Sequence, residues 1–184
     1  QNYNNFGAVW QSYNLAIGYR ALYSNQPISV FDGINNTAVG MLALEDNTTG
    51  ANNHAIGYRA LANNQVGNYN MAEGYEALSG NVSSNRNMAI GAFALAGLNF
   101  TNSGTSWNGD NTAVGYLSLS TLNAFASTNA IRNVALGNLS GNTVTSGANN
   151  TLLGYDADVT NGTLNYAIAI GSGATVNCSN CMAL

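Results

Sequence analysis

One nine-residue phrase, Asn36-Thr37-Ala38-Val39-Gly40-Met41-Leu42-Ala43-Leu44, returns along the whole chain. Its general form is Asn-x-Ala-(Ile/Val)-Gly-Tyr-x-Ala-Leu. Copies begin at Asn14, Asn36, Asn53, Asn70, Asn87, Asn111, Asn133 and Asn150, and a weaker ninth copy surrounds Ala169-Ile170-Gly171. The central glycines are Gly18, Gly40, Gly57, Gly74, Gly91, Gly115, Gly137, Gly154 and Gly171; most steps between them are 17 residues and the longer ones carry insertions. Every insertion follows the Ala-Leu pair and none interrupts the phrase. A fixed scaffold with a variable loop is the mark of a stacked repeat architecture.

Each phrase is too short for a helix and is bounded by Asn, Gly, Ser and Thr, so it predicts a strand. Side chains alternate along a strand, so Thr37 and Val39 point one way while Ala38 and Gly40 point the other. Across units the small column reads Ala16, Ala38, Ala55, Ala72, Ala89, Ala113, Ala135, Leu152, Ala169. The bulky column reads Ile17, Val39, Ile56, Glu73, Ile90, Val114, Leu136, Leu153, Ile170. Strands of successive units then stack in parallel register about 4.8 Å apart, giving about nine rungs and a rod of roughly 40 Å. The leading asparagines Asn14, Asn36, Asn53, Asn70, Asn87, Asn111, Asn133 and Asn150 predict a ladder. Their amides cap the turn and bond to the rungs above and below.

The expected fold class is all-β, a parallel β-roll or β-solenoid with a 17-residue repeat. Its organisation is an N-terminal partial rung or cap over 1–13, the repeat over 14–176, and a C-terminal tail over 177–184. A coil of 17 residues per turn encloses little apolar volume. The Ile/Val, Tyr and Leu columns exceed what one slender coil covers, which predicts several chains side by side. The reading that follows puts Ala and Gly inside the coil and Ile and Val at the inter-chain core.

Charge narrows the function classes. Charged residues are 7% of the 184, lysine is absent, and Arg20, Arg59, Arg86 and Arg132 stand apart in a chain of net charge −4. That balance argues against nucleic acid and against an acidic membrane surface. No apolar run approaches the length of a membrane span, so no membrane insertion is expected. The 32 asparagines suggest low complexity, but a 46% hydrophobic content and a strict repeat argue for order. The chain opens at Gln1 with no signal peptide, which fits either removal of one or a fragment. Cys178 and Cys181 form a single CxxC with no second pair and no neighbouring His, a poor zinc site. A disulfide between them or to another chain is favoured over two inert thiols.

The residues at this point carry a resemblance. The segment 36–52, NTAVGMLALEDNTTGAN, resembles the repeat of long bacterial surface and fibre proteins and of phage tail-fibre-like proteins. The segments NTLLGYDA at 150–157 and AIAIGSGA at 167–174 resemble the head repeats of trimeric autotransporter adhesins. The resemblance covers roughly 14–176. It implies a left-handed parallel β-roll, a homotrimer with three chains side by side, and an extracellular role in adhesion or fibre building. The chain departs from such an adhesin in carrying no heptad stalk and no membrane anchor.

Site chemistry is sparse. Glu73 breaks the Ile/Val column and is read chiefly as a tolerated substitution; at a threefold axis, three copies would need a cation or shared protons. His54, one rung earlier on the same strand face, has no triad or metal set around it. Arg59 and Glu76 share a column and are expected to form a cross-rung ion pair, worth little if exposed. Asp156 and Asp158 lie close but no calcium-loop pattern follows them. No phosphate loop or nucleophile elbow is present, so no catalytic, metal or cofactor site is expected. Eight glycosylation sequons, at Asn35, Asn47, Asn81, Asn99, Asn138, Asn149, Asn161 and Asn177, arise by composition.

The leading expectation is therefore a non-enzymatic extracellular structural or adhesive fibre protein. It stands at a cell surface or in a virion fibre and has itself as first partner. A host-surface or matrix ligand would meet the loops through Phe31, Phe100, Trp107 and Phe125; the competing reading packs these rings on the rod. The ends stack into a filament in one variant. The alternative is a receptor-binding segment of a phage tail fibre. A carbohydrate-active β-solenoid enzyme needs clustered carboxylates, and these acids do not cluster. Ice binding needs a regular threonine array. Thr37, Thr112 and Thr151 share a column, but Leu15, His54, Met71 and Met88 interrupt it.

Overall fold

The computed structural model describes residues 11–26, 29 and 31–184. Most of the predicted cap over 1–13 lies outside the described residues, as do Pro27, Ile28 and Val30 of the first insertion.

The described chain is all-β, and its spine is one ten-stranded, all-parallel sheet. The strands are Leu15–Ile17, Thr37–Val39, His54–Ile56, Met71–Glu73, Met88–Ile90, Thr112–Val114, Val134–Leu136, Thr151–Leu153, Ile168–Ile170 and Met182–Ala183. They pair in chain order. The repeat sets the register: Ala38 stands beside Ala55, Ala55 beside Ala72 and Ala72 beside Ala89. Two small parallel pairs lie off this sheet, Ser84–Asn85 with Trp107–Asn108 and Asp158–Val159 with Thr175–Val176. The architecture is β-solenoid-like. The segment 177–184, expected as a tail, supplies the tenth strand, with Met182 beside Ile168. The turn leading to it holds a disulfide between Cys178 and Cys181.

The nine-residue phrases are not nine-residue strands. Each contributes three strand residues and then curls at its glycine. Gly57 has φ +132°, and a Cβ on it would collide with the carbonyl oxygen of Gly74 on the next rung. The same holds from Gly18 to Gly154. From Gly18 to Gly137, the residues two and four steps beyond each glycine take left-handed backbone, as Leu42 and Leu44 do at φ 62° and 51°. None of the residues at these steps is β-branched, in keeping with the steric cost of that region for branched side chains. Left-handed backbone costs about 1–2 kcal/mol per residue. Inter-rung hydrogen bonds offset it: Leu44 N–H donates to Ala60 O at 3.0 Å, and Arg59 N–H donates to Met41 O at 3.0 Å. The chain thus stays bonded to both neighbouring rungs after the strand has ended.

The interior is narrow. Ala38, Ala43 and Leu44 of one rung are fully buried, and so are Ala55, Ala60 and Leu61 of the next. Leucine at the fourth step recurs as Leu22, Leu44, Leu61, Leu78, Leu95 and Leu119, all buried. Each such side chain contributes about 1.5–3 kcal/mol of burial.

Candidate functional site

Two polar devices align the rungs from within. The first is the predicted asparagine ladder. Each amide oxygen accepts the backbone N–H of the next ladder residue, as Asn36 does from Asn53 at 2.9 Å and Asn53 from Asn70 at 3.0 Å. Most of the Nδ2 groups reach across the coil to a carbonyl, as Asn53 does to Gly67 O at 2.8 Å. The series runs up to Asn150, whose oxygen accepts Ala167 N–H. The second ladder escaped the sequence reading. Asn25, Asn47, Asn64 and Asn81 are buried and linked amide to amide, Nδ2 to Oδ1, at 2.8–2.9 Å. Above Asn81 the position turns apolar as Leu98, Leu122 and Val144, all buried. Asn47 and Asn81 are ladder rungs, so two of the eight sequons are closed to a glycan in the folded chain.

The outward face of the long sheet is not buried by its own chain. Two columns project from it. One runs Leu15, Thr37, His54, Met71, Met88, Thr112, Val134, Thr151, Ile168, and the other is the Ile17-to-Ile170 column with Glu73 in it. No position in these two columns is buried, and Ile17 is 56% exposed. An aromatic column flanks the face on its C-terminal side. Tyr58 stacks on Tyr75 with centroids 5.1 Å apart, and Tyr75 meets Phe93 edge-on at 5.2 Å. Tyr19, Tyr116 and Tyr155 extend the column and are exposed. On the other flank stand Tyr69, Arg86, Asp110 and Tyr166, just before their ladder positions. An apolar strip edged by Tyr and Arg is the composition that protein interfaces favour.

The insertions separate the loop aromatics. Trp107 is 5% exposed and donates from Nε1 to Ser83 Oγ at 3.1 Å. Phe100 is half-buried and packs edge-on against Trp107 at 5.8 Å. The two rings pack on each other, and the buried Trp107 ties their loop to the rod. Phe31 and Phe125 are exposed at 78% and 69%.

Arg59 and Glu76 approach to 3.8 Å, beyond hydrogen-bond range, and Arg59 Nε is buried with no hydrogen-bond partner. Tighter pairs are Arg20 with Glu45 at 2.8 Å, which join different columns, and Arg86 with Asp110 at 2.7 Å, both just before their ladder positions. A reading confined to single columns misses the first of these. Arg20 also lies 4.4 Å over the Tyr23 ring. Asp158 is buried on the rung edge. Burial pushes its carboxyl above the ordinary value, against the pull of hydrogen bonds from Val159 and Thr143; nearby Asp156 adds to the rise. Its oxygens accept Thr143 N–H and Val159 N–H, both at 2.8 Å. Among the described residues no group of three or more His, Cys, Asp or Glu could hold a metal ion. Also among them, no helix is long and apolar enough to cross a membrane. No protein-family model, curated protein or solved structure matches the chain.

Proposed function

We propose that the chain is a segment of a non-enzymatic extracellular structural or adhesive fibre, working as a trimer of parallel coils packed along their long sheets. The observation that carries this reading is the outward face of the ten-stranded sheet. It runs in register through the rungs, it is mostly apolar, and its own chain leaves it unburied. Burying it against other copies gives a stiff rod whose cross-section is constant along its length. Loops then project at intervals from the insertions. Phe31 and Phe125 are the rings such loops offer to a host-surface or matrix ligand, while Trp107 and Phe100 hold their loop in place.

The test is cryo-electron microscopy and sedimentation of the purified chain, beside an Ile56→Asp variant. A charge in the middle of the apolar strip is costly to bury. Threefold rods that fall to single coils in the variant support the reading. Single coils in the wild type refute side-by-side packing, and intact trimers in Ile56→Asp move the contact to another face.

A further inference from the structure

The outward apolar face holds one carboxylate. Glu73 sits between Ile56 and Ile90 in its column, with Met71 on its own strand and Met88 beside that residue. It is exposed in the single chain. Glu45, Glu76 and Asp110 each have an arginine partner; Glu73 has no ion-pair partner among the described residues.

We propose that Glu73 makes the side-by-side association of copies of this chain pH-dependent, tightening it as pH falls. This rests on the lateral packing proposed above and adds its regulation. The occupant of the face is a second copy, for two reasons. A partner that covers ten stacked strands must match a repeat of about 4.8 Å along the rod, and an identical coil does so by construction. The strip is also large enough. Ten rungs span roughly 43 Å, and two columns with their flanks are about 15–20 Å wide. That gives some 650–850 Å² per copy, on the scale of the ~800 Å² of a stable interface.

Copies in register about an axis parallel to the rod bring Glu73 up to Glu73, among aliphatic side chains. Burial there penalises the charged form, and a like charge penalises it again. The packed state therefore holds more protons than the free chain, and acid favours packing. The other titratable groups around this point are His54 on the neighbouring strand, Tyr58 and Tyr75, the Arg59–Glu76 pair beyond the glycines, and the Arg86–Asp110 pair on the far flank. His54 works in the opposite sense, because an imidazole carries its charge in the protonated form. The two residues are separable by substitution.

The experiment is sedimentation equilibrium of the full chain between about pH 4 and pH 8, for wild type, Glu73→Gln, Glu73→Ile and His54→Gln. The expected result is a wild-type association constant that rises as pH falls, by up to about tenfold per pH unit for each proton taken up. Glu73→Gln and Glu73→Ile associate tightly at neutral pH and lose that rise, whereas His54→Gln keeps it. A Glu73→Gln chain with the wild-type slope, or a wild type with no slope, overturns the proposal and leaves lateral packing standing. A wild type and variants that stay single at every pH overturn both.

Discussion

Gly141 and Leu152 divide one space between two rungs. A Cβ on Gly141 would stand 2.9 Å from Leu152 Cδ1 and 2.7 Å from Leu119 Cδ2. Gly141 occupies the fourth step after its rung glycine, where six other units carry a buried leucine. Leu152 occupies the interior column where the neighbouring rungs carry Ala135 and Ala169. The bulk lost at one position returns at the other. Gly141→Leu alone overpacks and is expected to cost about 1–3 kcal/mol. Leu152→Ala alone leaves a void and is expected to cost about 2–5 kcal/mol. Together they restore the common pattern of the repeat, so the double variant should cost clearly less than the sum. Urea unfolding of the four proteins measures the coupling, and strict additivity would show that the two positions do not share a space.

The rung glycines admit no side chain. Gly57→Ala places a methyl group against the Gly74 carbonyl and holds a φ of +132° that L residues rarely adopt. The strain of such backbone is of order 1–3 kcal/mol, with the collision added. A fall in stability of at least ~2 kcal/mol is expected in thermal unfolding. Ala60→Gly, on the same rung at an interior site, should cost less. The opposite ranking would mean that the rungs slide apart easily.

The ladder amides are expected to matter through the donors they satisfy. Asn70 Oδ1 accepts the backbone N–H of Asn87 at 3.0 Å. Asn70→Ala strands that donor inside the coil, at about 1–3 kcal/mol. The Ser84 carbonyl keeps its bond from Asn81, so the damage is local. Hydrogen exchange should show the Asn87 amide losing protection while amides three rungs away keep theirs. Unchanged protection at Asn87 would leave the ladder without a structural role.

The rung spacing, the parallel register and the first ladder were legible because one position keeps asparagine through eight units. The second ladder was not. It ends after Asn81, and a column that changes from amide to Leu98, Leu122 and Val144 does not read as one feature. The curl after each glycine was hidden for a different reason. Leucine and arginine carry no preference for left-handed backbone, so Leu42 and Arg59 read as strand. The signal present was negative, the absence of Val, Ile and Thr at the second and fourth steps from Gly18 to Gly137. For Trp107 and Phe100, ligand contact and packing on the rod both stayed open, because a loop's sequence does not say which way its rings turn. The Ser83 hydroxyl that receives Trp107 lies 24 residues away.

The disulfide is expected to guard one rung. Cys178 and Cys181 close a very short loop, whose entropic contribution is no more than ~2 kcal/mol. Neighbouring rungs carry their own hydrogen bonds, so reduction should release the Met182–Ala183 strand and little else. Hydrogen exchange with and without reductant tests this at Ile168, whose N–H donates to Cys181 O at 2.9 Å. Loss of protection down to the Thr112 rung would mean that the end rung holds the whole rod.

Asp158 gives the folded chain its own pH dependence. Burial raises its carboxyl above the ordinary 3.8. Between 3.8 and its folded value the folded state therefore binds more protons than the unfolded state. Stability from this group is full below the ordinary value and is lost as pH rises through the folded one. Asp158→Asn removes the ionisation. It also weakens the bonds to Thr143 and Val159, which shifts stability at every pH alike. The informative quantity is the difference in slope. From about pH 4 towards neutrality, the wild type should lose stability relative to the variant, as followed by urea midpoints at several pH values. Parallel curves would mean that water reaches Asp158 and that its burial has no energetic consequence.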